Sequence, residues 1–288
     1  MARHENMSNH PECPARLHNI MEMIKRDFPD IPVEDAFPIA EENLLFAHPQ
    51  SYIDHILDSA AYDGEWSMID ADTGMNDYSY HAALLSAGAS VQAVQAVMDG
   101  NTQTAFALSR PPGHHAEYDT AMGFCFFANA FVAARVSNVK TLIIDFDVHH
   151  GNGTEDLVKR RVDDGYTDIA YASIHQEGIF PHTGMNDSEN ICNAPLPQGA
   201  TSQDFRSAIE NKIIPLARDF APDLIIFSAG FDAHESDPIG GLNLQHDDFG
   251  WIVEQFKPIC PKIVSVLEGG YNLETLPESV KVHLLALR

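Results

Sequence analysis

Five short apolar runs punctuate this chain, at residues 104–108, 140–146, 169–174, 224–228 and 262–267. Each is nearly continuous in aliphatic and small residues rather than alternating with polar ones. That pattern predicts strands covered on both faces. Longer amphipathic stretches separate them and predict helices over 14–25, 50–59, 80–98, 124–134, 154–161, 202–219, 245–256 and 273–287. In the sixth, Phe205, Ile209, Ile213 and Leu216 recur at helical spacing. Thr154 and Ser202 are the expected helix caps. Strand–helix alternation of this kind predicts an α/β fold on a parallel sheet, one domain over residues 1–288. Residues 176–200, rich in Gly, Pro, His and Asn, read as a long irregular loop of the kind that often carries function. No internal repeat, low-complexity tract or linker interrupts the pattern.

Composition narrows the classes. With 288 residues and 44% hydrophobic positions the chain supports a sizeable core. No apolar run approaches the ~20 residues that cross a bilayer. The start, Met1-Ala2-Arg3-His4-Glu5, lacks an apolar signal region, so a cytoplasmic location is expected. Cys13, Cys125, Cys192 and Cys260 form no C-x-x-C pair and read as free thiols. Against 42 acidic residues stand only 17 Lys and Arg, a formal net charge of −25. Such a surface disfavours nucleic acid, which needs a basic face, and attracts cationic substrates; its ordinary role is solubility.

The chemically loaded residues collect where the predicted strands end. Ile144-Asp145-Phe146-Asp147-Val148-His149-His150-Gly151-Asn152-Gly153 discharges acids and imidazoles straight from a core strand. Such groups are costly to bury without partners. Strand alternation puts Asp147 and His149 on one side, an oxygen and a nitrogen suited to a divalent cation. A catalytic zinc site needs a third ligand. Asp237 is the first candidate because Pro238 stiffens its loop, with Asp232, His234 and Glu235 competing. Arg110-Pro111-Pro112-Gly113-His114-His115 presents two imidazoles on a stiff loop, fit for general acid–base work near neutral pH. Asp145 and Asn152 are available to orient them. In Glu268-Gly269-Gly270-Tyr271 the glycines allow a phenol to reach a developing oxyanion. Gly151-x-Gly153 lacks the third glycine of a dinucleotide fingerprint, and no G-x-S-x-G elbow supplies a serine nucleophile.

These segments, in this order, resemble the zinc-dependent histone deacetylase superfamily, which includes acetylpolyamine amidohydrolases. The resemblance runs from His10-Pro11-Glu12-Cys13-Pro14-Ala15-Arg16-Leu17 through Gly123-Phe124-Cys125 to Glu268-Gly269-Gly270-Tyr271-Asn272-Leu273, nearly the whole chain. The Pro-Gly-His-His and Leu-Glu-Gly-Gly-Tyr forms are similar to the class II and bacterial branch. The resemblance implies an arginase-like α/β domain around an eight-stranded, mostly parallel sheet flanked by helices. Only nine residues precede His10, where the family usually has a strand, so that strand is expected to be missing or to lie before Met1.

By resemblance, one zinc ion is held by Asp147, His149 and Asp237. His114 pairs with Asp145, His115 with Asn152, and Tyr271 polarises the carbonyl. Phe124 and Phe180, with Gly123, line an acyl-lysine tunnel, and Asp72 is the rim acid that grips substrate amides. A structural potassium ion takes Asp145, backbone oxygens of Asp147 and His149, and the Ser173 hydroxyl. Leu244 occupies the position of the glutamate gatekeeper of polyamine-selective relatives, which leans away from polyamines. The implied activity is removal of acetyl or longer acyl groups from an amine nitrogen, on acyl-lysine side chains or small acylated amines. An acetylpolyamine amidohydrolase and a silent acyl-lysine binding module are the alternatives, with a dinuclear arginase-like hydrolase more distant. Expected partners are an acylated amine or acyl-lysine peptide, with no nucleic acid or membrane; a homo-oligomer is allowed.

Overall fold

A computed structural model describes residues 1–61 and 64–288. Its frame is a parallel sheet of six strands: β3 (Thr104–Ala107), β4 (Thr141–Asp145), β5 (Ile169–Gln176), β6 (Ile191–Leu196), β7 (Leu224–Ala229) and β8 (Ile263–Leu267). They lie in the order β3-β8-β7-β4-β5-β6. Two short strands, β1 (Ser67–Met68) and β2 (Gly74–Met75), form a separate antiparallel pair. The sheet thus has six strands among the described residues, not eight. The N-terminal residues form no strand here; they fold as irregular chain before α1 (Ala15–Asp27).

Burial follows the period of a strand. Leu142 and Ile144 of β4 face one core, and Ile143 between them faces the other. The first core packs α1, α7 (Ser202–Ala208), α8 (Ile214–Phe220), α9 (His246–Phe256) and α10 (Leu276–Leu287) on one side of the sheet. The second packs α3 (Gln50–Asp58), α4 (Ser79–Met98), α5 (Asn129–Ser137) and α6 (Asn152–Asp163) on the other. Helix α2 (Glu41–Leu44) is a single turn.

Four expectations change in physical detail. The helix predicted over 202–219 is interrupted by a π-helical turn at Ile209–Ile213. Pro215, at the start of α8, has no N–H to give to the preceding turn. The helix predicted from 124 starts only at Asn129, because Gly123 and Phe124 both take positive φ, 55° and 70°. The caps shift too: Thr154 lies inside α6, and Thr201 rather than Ser202 caps α7, in a capping box with Asp204. Strand β6 lies inside the stretch read as loop, an edge strand that tolerates Pro195.

From β4 the chain winds outward through β5 to β6, then returns to β7 on the other side of β4. The reversal leaves a crevice beyond the carboxyl ends of β4 and β7, where ligands bind in open α/β sheets.

Candidate active site

Strand β4 stops at Asp145, and residues 146–151 turn from it into α6. Two nested side-chain turns shape this segment. Asp145 Oδ1 accepts the amide of Asp147 at 3.1 Å, and Asp147 Oδ1 accepts that of His149 at 2.9 Å. His149 Nδ1 then lies 3.0 Å from Asp147 Oδ1 and 3.3 Å from Asp232 Oδ2, the latter carried by the loop after β7. One ligand atom each from Asp147, His149 and Asp232 fall within 4.8 Å of one another.

This corrects the expected third ligand. Asp237 does not join the group. Its Oδ2 accepts the amides of Tyr271 at 2.7 Å and Asn272 at 3.1 Å, and its Oδ1 accepts that of Ile239 at 3.0 Å. Both oxygens fasten the loop behind Tyr271. Asp232 was one of its competitors, and three residues after the end of β7 it is the acid nearest the sheet.

The group could hold a cation. Asp232 Oδ1 accepts the Val148 amide at 2.9 Å, but buried Oδ2 makes no well-formed hydrogen bond among the described residues. Its nearest donor, His149 Nδ1, is shared with Asp147. Gly269 closes the cradle: a Cβ there would collide with the carboxylates of Asp147 and Asp232. Burial, then the Asp147 charge, pushes the Asp232 carboxyl up to about 7. Burial alone would lower His149, but hydrogen bonds to Asp147 and Asp232 outweigh it and raise the ring to about 10. Protons thus crowd where a divalent ion would balance the two acids.

The paired imidazoles sit against this group. Glu268 Oε2 accepts the amides of Gly113 at 2.7 Å and His114 at 3.2 Å, fixing the loop after β3 to the end of β8. His114 Nδ1 donates to Asp145 Oδ2 at 3.1 Å, an oxygen that also accepts the Tyr171 hydroxyl at 3.0 Å. His115 Nδ1 donates to Asn152 Oδ1 at 2.8 Å. The two rings are 4.0 Å apart, and His114 Nε2 is 3.9 Å from Asp147 Oδ2. Their environments push them apart. Burial lowers His114, yet Asp147 and Asp145 overcome it and raise the ring to about 10. Burial, with the neighbouring imidazoles, holds His115 well below the usual range. The latter is therefore the neutral ring, free to accept a proton.

Three aromatic side chains enclose these groups. Phe180 sets its ring edge-to-face on His115, 5.0 Å between centroids, and Gly123 leaves room for that contact. Phe124 meets Tyr271 edge-to-face at 6.0 Å. Tyr271 is buried, and its ring lies 5.0 Å from the Arg16 guanidinium. Thr73 links Asp72 to Phe124: its hydroxyl donates to Asp72 Oδ1 and accepts the Phe124 amide. Ser173 stands opposite Asp145 in the sheet register, its hydroxyl 2.8 Å from His175 Nδ1. Leu244 lies elsewhere. It is fully buried in the core with Phe231 and Phe249, where no substrate reaches it, so it is not a gatekeeper and gives no argument against polyamines.

Several groups that build the site carry no sequence expectation. Arg16 donates to the carbonyls of Gly270 and Glu268, bracing the turn that presents Tyr271. Buried Glu12 takes Arg16 and Arg110 together. The Glu12–Arg16 spacing of four, at the head of a predicted helix, was the available signal. His150 turns away, to Glu155 at 2.8 Å and Thr183 at 2.7 Å. A second buried group, His114 with Cys125 and Glu268, is occupied in anchoring the His114 loop.

A family model described as histone deacetylase domain matches residues 10–287. The chain is 34% identical over 286 residues to the histone deacetylase-like amidohydrolase of Pseudomonas aeruginosa, covering 93% of this chain and 73% of that one. It is 37% identical over 293 residues to an uncharacterised Synechocystis protein, covering 96% and 93%. Among solved structures, the HDA15 HD domain aligns with a TM-score of 0.90 at 33% identity, over 98% of this chain and 86% of that one. An acetylpolyamine aminohydrolase from Burkholderia pseudomallei shares the fold, with a TM-score of 0.85 at 24% identity, over 96% and 91%. Motif order, fold and buried acid–base groups agree, and the chain belongs to the histone deacetylase family and is a hydrolase.

Proposed function

We propose that the chain is a zinc-dependent amidohydrolase that removes acetyl or longer acyl groups from an amine nitrogen, with acyl-lysine side chains as the substrate class. One observation carries this reading: Asp147, His149 and Asp232, the last with an unsatisfied buried oxygen, face the His114–His115 pair. Two carboxylates and one imidazole match the donor set of a catalytic zinc site with an open position. When bound, the ion polarises the amide carbonyl and acidifies water.

The chain's own groups do the rest. His115 takes the proton of the attacking water at Nε2 and passes it to the leaving amine nitrogen. His114, charged against Asp145, stabilises the negative charge that develops nearby. The Tyr271 hydroxyl donates to the oxyanion. Phe124 and Phe180 clasp the acyl-bearing side chain and exclude water, while Asp72 accepts from substrate amides at the rim. The same reading includes one structural potassium ion beside Asp145 and Ser173.

The test is a zinc-loaded panel of acetyl-lysine peptides, N-acetylputrescine and small acetylated amines. Tyr271→Phe should lower turnover about 10²–10³-fold and leave one zinc per chain. Near-normal turnover in that variant removes Tyr271 from the mechanism. Faster turnover of N-acetylputrescine than of every peptide replaces the lysine reading with a polyamine one.

A further inference from the structure

We propose that Glu117 is a positioning residue for the general base, setting the tautomer of His115 through the side-chain amide of Asn152. The inference rests on the reading of His115 as that base. Its ground is a short relay at the start of α6. His115 Nδ1 lies 2.8 Å from Asn152 Oδ1, and Asn152 Nδ2 lies 2.6 Å from Glu117 Oε1. The second Nδ2 proton faces Met122 Sδ at 3.4 Å.

An amide beside an imidazole is ambiguous. With its oxygen toward the ring it accepts from Nδ1–H, and the lone pair sits on Nε2. With its nitrogen toward the ring it donates to Nδ1, the proton moves to Nε2, and the base is blocked. Nothing in Asn152 itself selects between these. His114 has no such ambiguity, because its partner Asp145 is a carboxylate and accepts whichever oxygen it offers. Glu117 removes the ambiguity for His115. A carboxylate only accepts, so the Asn152 amide nitrogen must face Glu117 and its oxygen must face the ring.

Backbone contacts hold the relay at fixed length. Glu117 lies two residues beyond His115, between a turn over residues 113–116, closed by the Ala116 amide on the Gly113 carbonyl at 3.1 Å, and one over residues 117–120, closed by its own amide on the Thr120 carbonyl at 3.0 Å. The amides of Gly153 and Thr154 both donate to the His114 carbonyl, at 3.0 and 3.2 Å. A Cβ on Gly153 would collide with the Ala116 carbonyl, so the start of α6 presses directly on the loop that carries both histidines. Placing an amide rather than an acid behind His115 keeps a second negative charge away from the base; Glu117 supplies the orientation that the amide lacks.

The test uses Glu117→Gln, which keeps size and packing but can present either a donor or an acceptor to Asn152. Expected is a kcat about tenfold lower, in the range typical of outer partners of catalytic groups, with KM and zinc content unchanged. Nitrogen-15 spectra of the His115 ring in metal-free protein should show the Nδ1–H form in the original chain and a mixture in the variant. In an Asn152→Asp background, where a carboxylate faces the ring directly, Glu117→Gln should cause no loss in kcat or a gain, since it also removes a like charge from beside the introduced carboxylate. A tautomer unchanged by Glu117→Gln overturns the proposal, as does an equal kcat loss in both backgrounds, which marks a mere fastener of the loop. Failure of the deacetylase reading itself looks different: the original chain turns over no acylated amine, while the ring spectra still decide the role of Glu117.

Discussion

Asp232 and Asp237 lie five residues apart in one loop and do opposite work. Asp237 spends its carboxylate on three backbone amides, so its charge is already satisfied. Asp232 leaves one buried oxygen without a hydrogen bond. That difference, invisible in composition, makes a sharp pair of expectations. Asp232→Asn should weaken zinc binding by more than the roughly 10–100-fold typical of outer partners. Asp237→Asn should keep zinc but loosen the turn beneath Tyr271, lowering turnover. Zinc titration of the two variants checks both, and equal affinities would remove Asp232 from the ligand set. The loop also shows why the sequence alone left four candidates open. Every one of Asp232, His234, Glu235 and Asp237 has ligating chemistry, and only the fold of the loop tells which is already occupied. Proline stiffness at Pro238 was a poor guide, because a rigid loop serves a backbone clamp as well as it serves a ligand.

At the level of elements, buried strands were the legible part. β4, β5, β7 and β8 are buried along their whole length, and a continuous apolar run is what such strands must be. Strand β6 escaped because only one face, Cys192, Ala194 and Leu196, is apolar; on the other, Asn193 donates to Glu155 at 2.6 Å, and Pro195 interrupts the run. Helix α5 was predicted five residues early because Phe124 looks like the apolar face of a helix, whereas it stands in left-handed backbone with its ring edge-to-face on Tyr271. Hydrophobic periodicity reports burial, not which burial serves substrate. The α7 cap is a test of local reasoning away from the site. Thr201 and Asp204 satisfy each other's backbone there, so Thr201→Ala should cost about 1 kcal/mol of stability with activity intact. Thermal unfolding beside a turnover assay measures it; an unchanged Tm would mean that packing of Phe205 alone holds the helix end.

Across the whole molecule, charge and buried histidines pull stability in opposite directions as the medium is acidified. A net charge of −25 repels itself at neutral pH, and titration toward the sequence pI of about 4.7 relieves that repulsion. Two buried histidines outside the catalytic group oppose it. His283 donates from Nδ1 to the Phe249 carbonyl and shares Nε2 with the Ser265 hydroxyl, both at 2.8 Å. His48 faces the Tyr118 carbonyl with Nδ1 at 3.1 Å and accepts the Ala128 amide at Nε2 at 3.0 Å. At His48 one nitrogen donates and the other accepts from a backbone amide, so only the neutral form satisfies both partners; at His283 the Ser265 hydroxyl can turn to either role, and complete burial alone disfavours the charged ring. Burial holds both at about 4, against 6.5 in an open chain. Between those values the unfolded chain binds protons that the folded chain refuses, so stability is intact above about 6.5 and declines as pH falls toward 4. At pH 5.5 each ring costs about 1.4 kcal/mol, or about 3 kcal/mol for the pair, several degrees of Tm. Glu155, which its hydrogen bonds to His150, Asn193 and Lys159 hold at about 2 against burial, adds a further loss below about 4.5. Asp232 and Glu268, which burial raises to about 7, take up protons in the folded chain over the same interval and offset part of this loss, while His175, held at about 3 by burial, adds to it. The buried rings together should still outweigh long-range repulsion, which salt screens within about 10 Å. Tm measured at constant ionic strength should fall from pH 7 to 5.5, and a rise over that interval would show that the acidic surface, not the buried rings, governs the stability of the molecule.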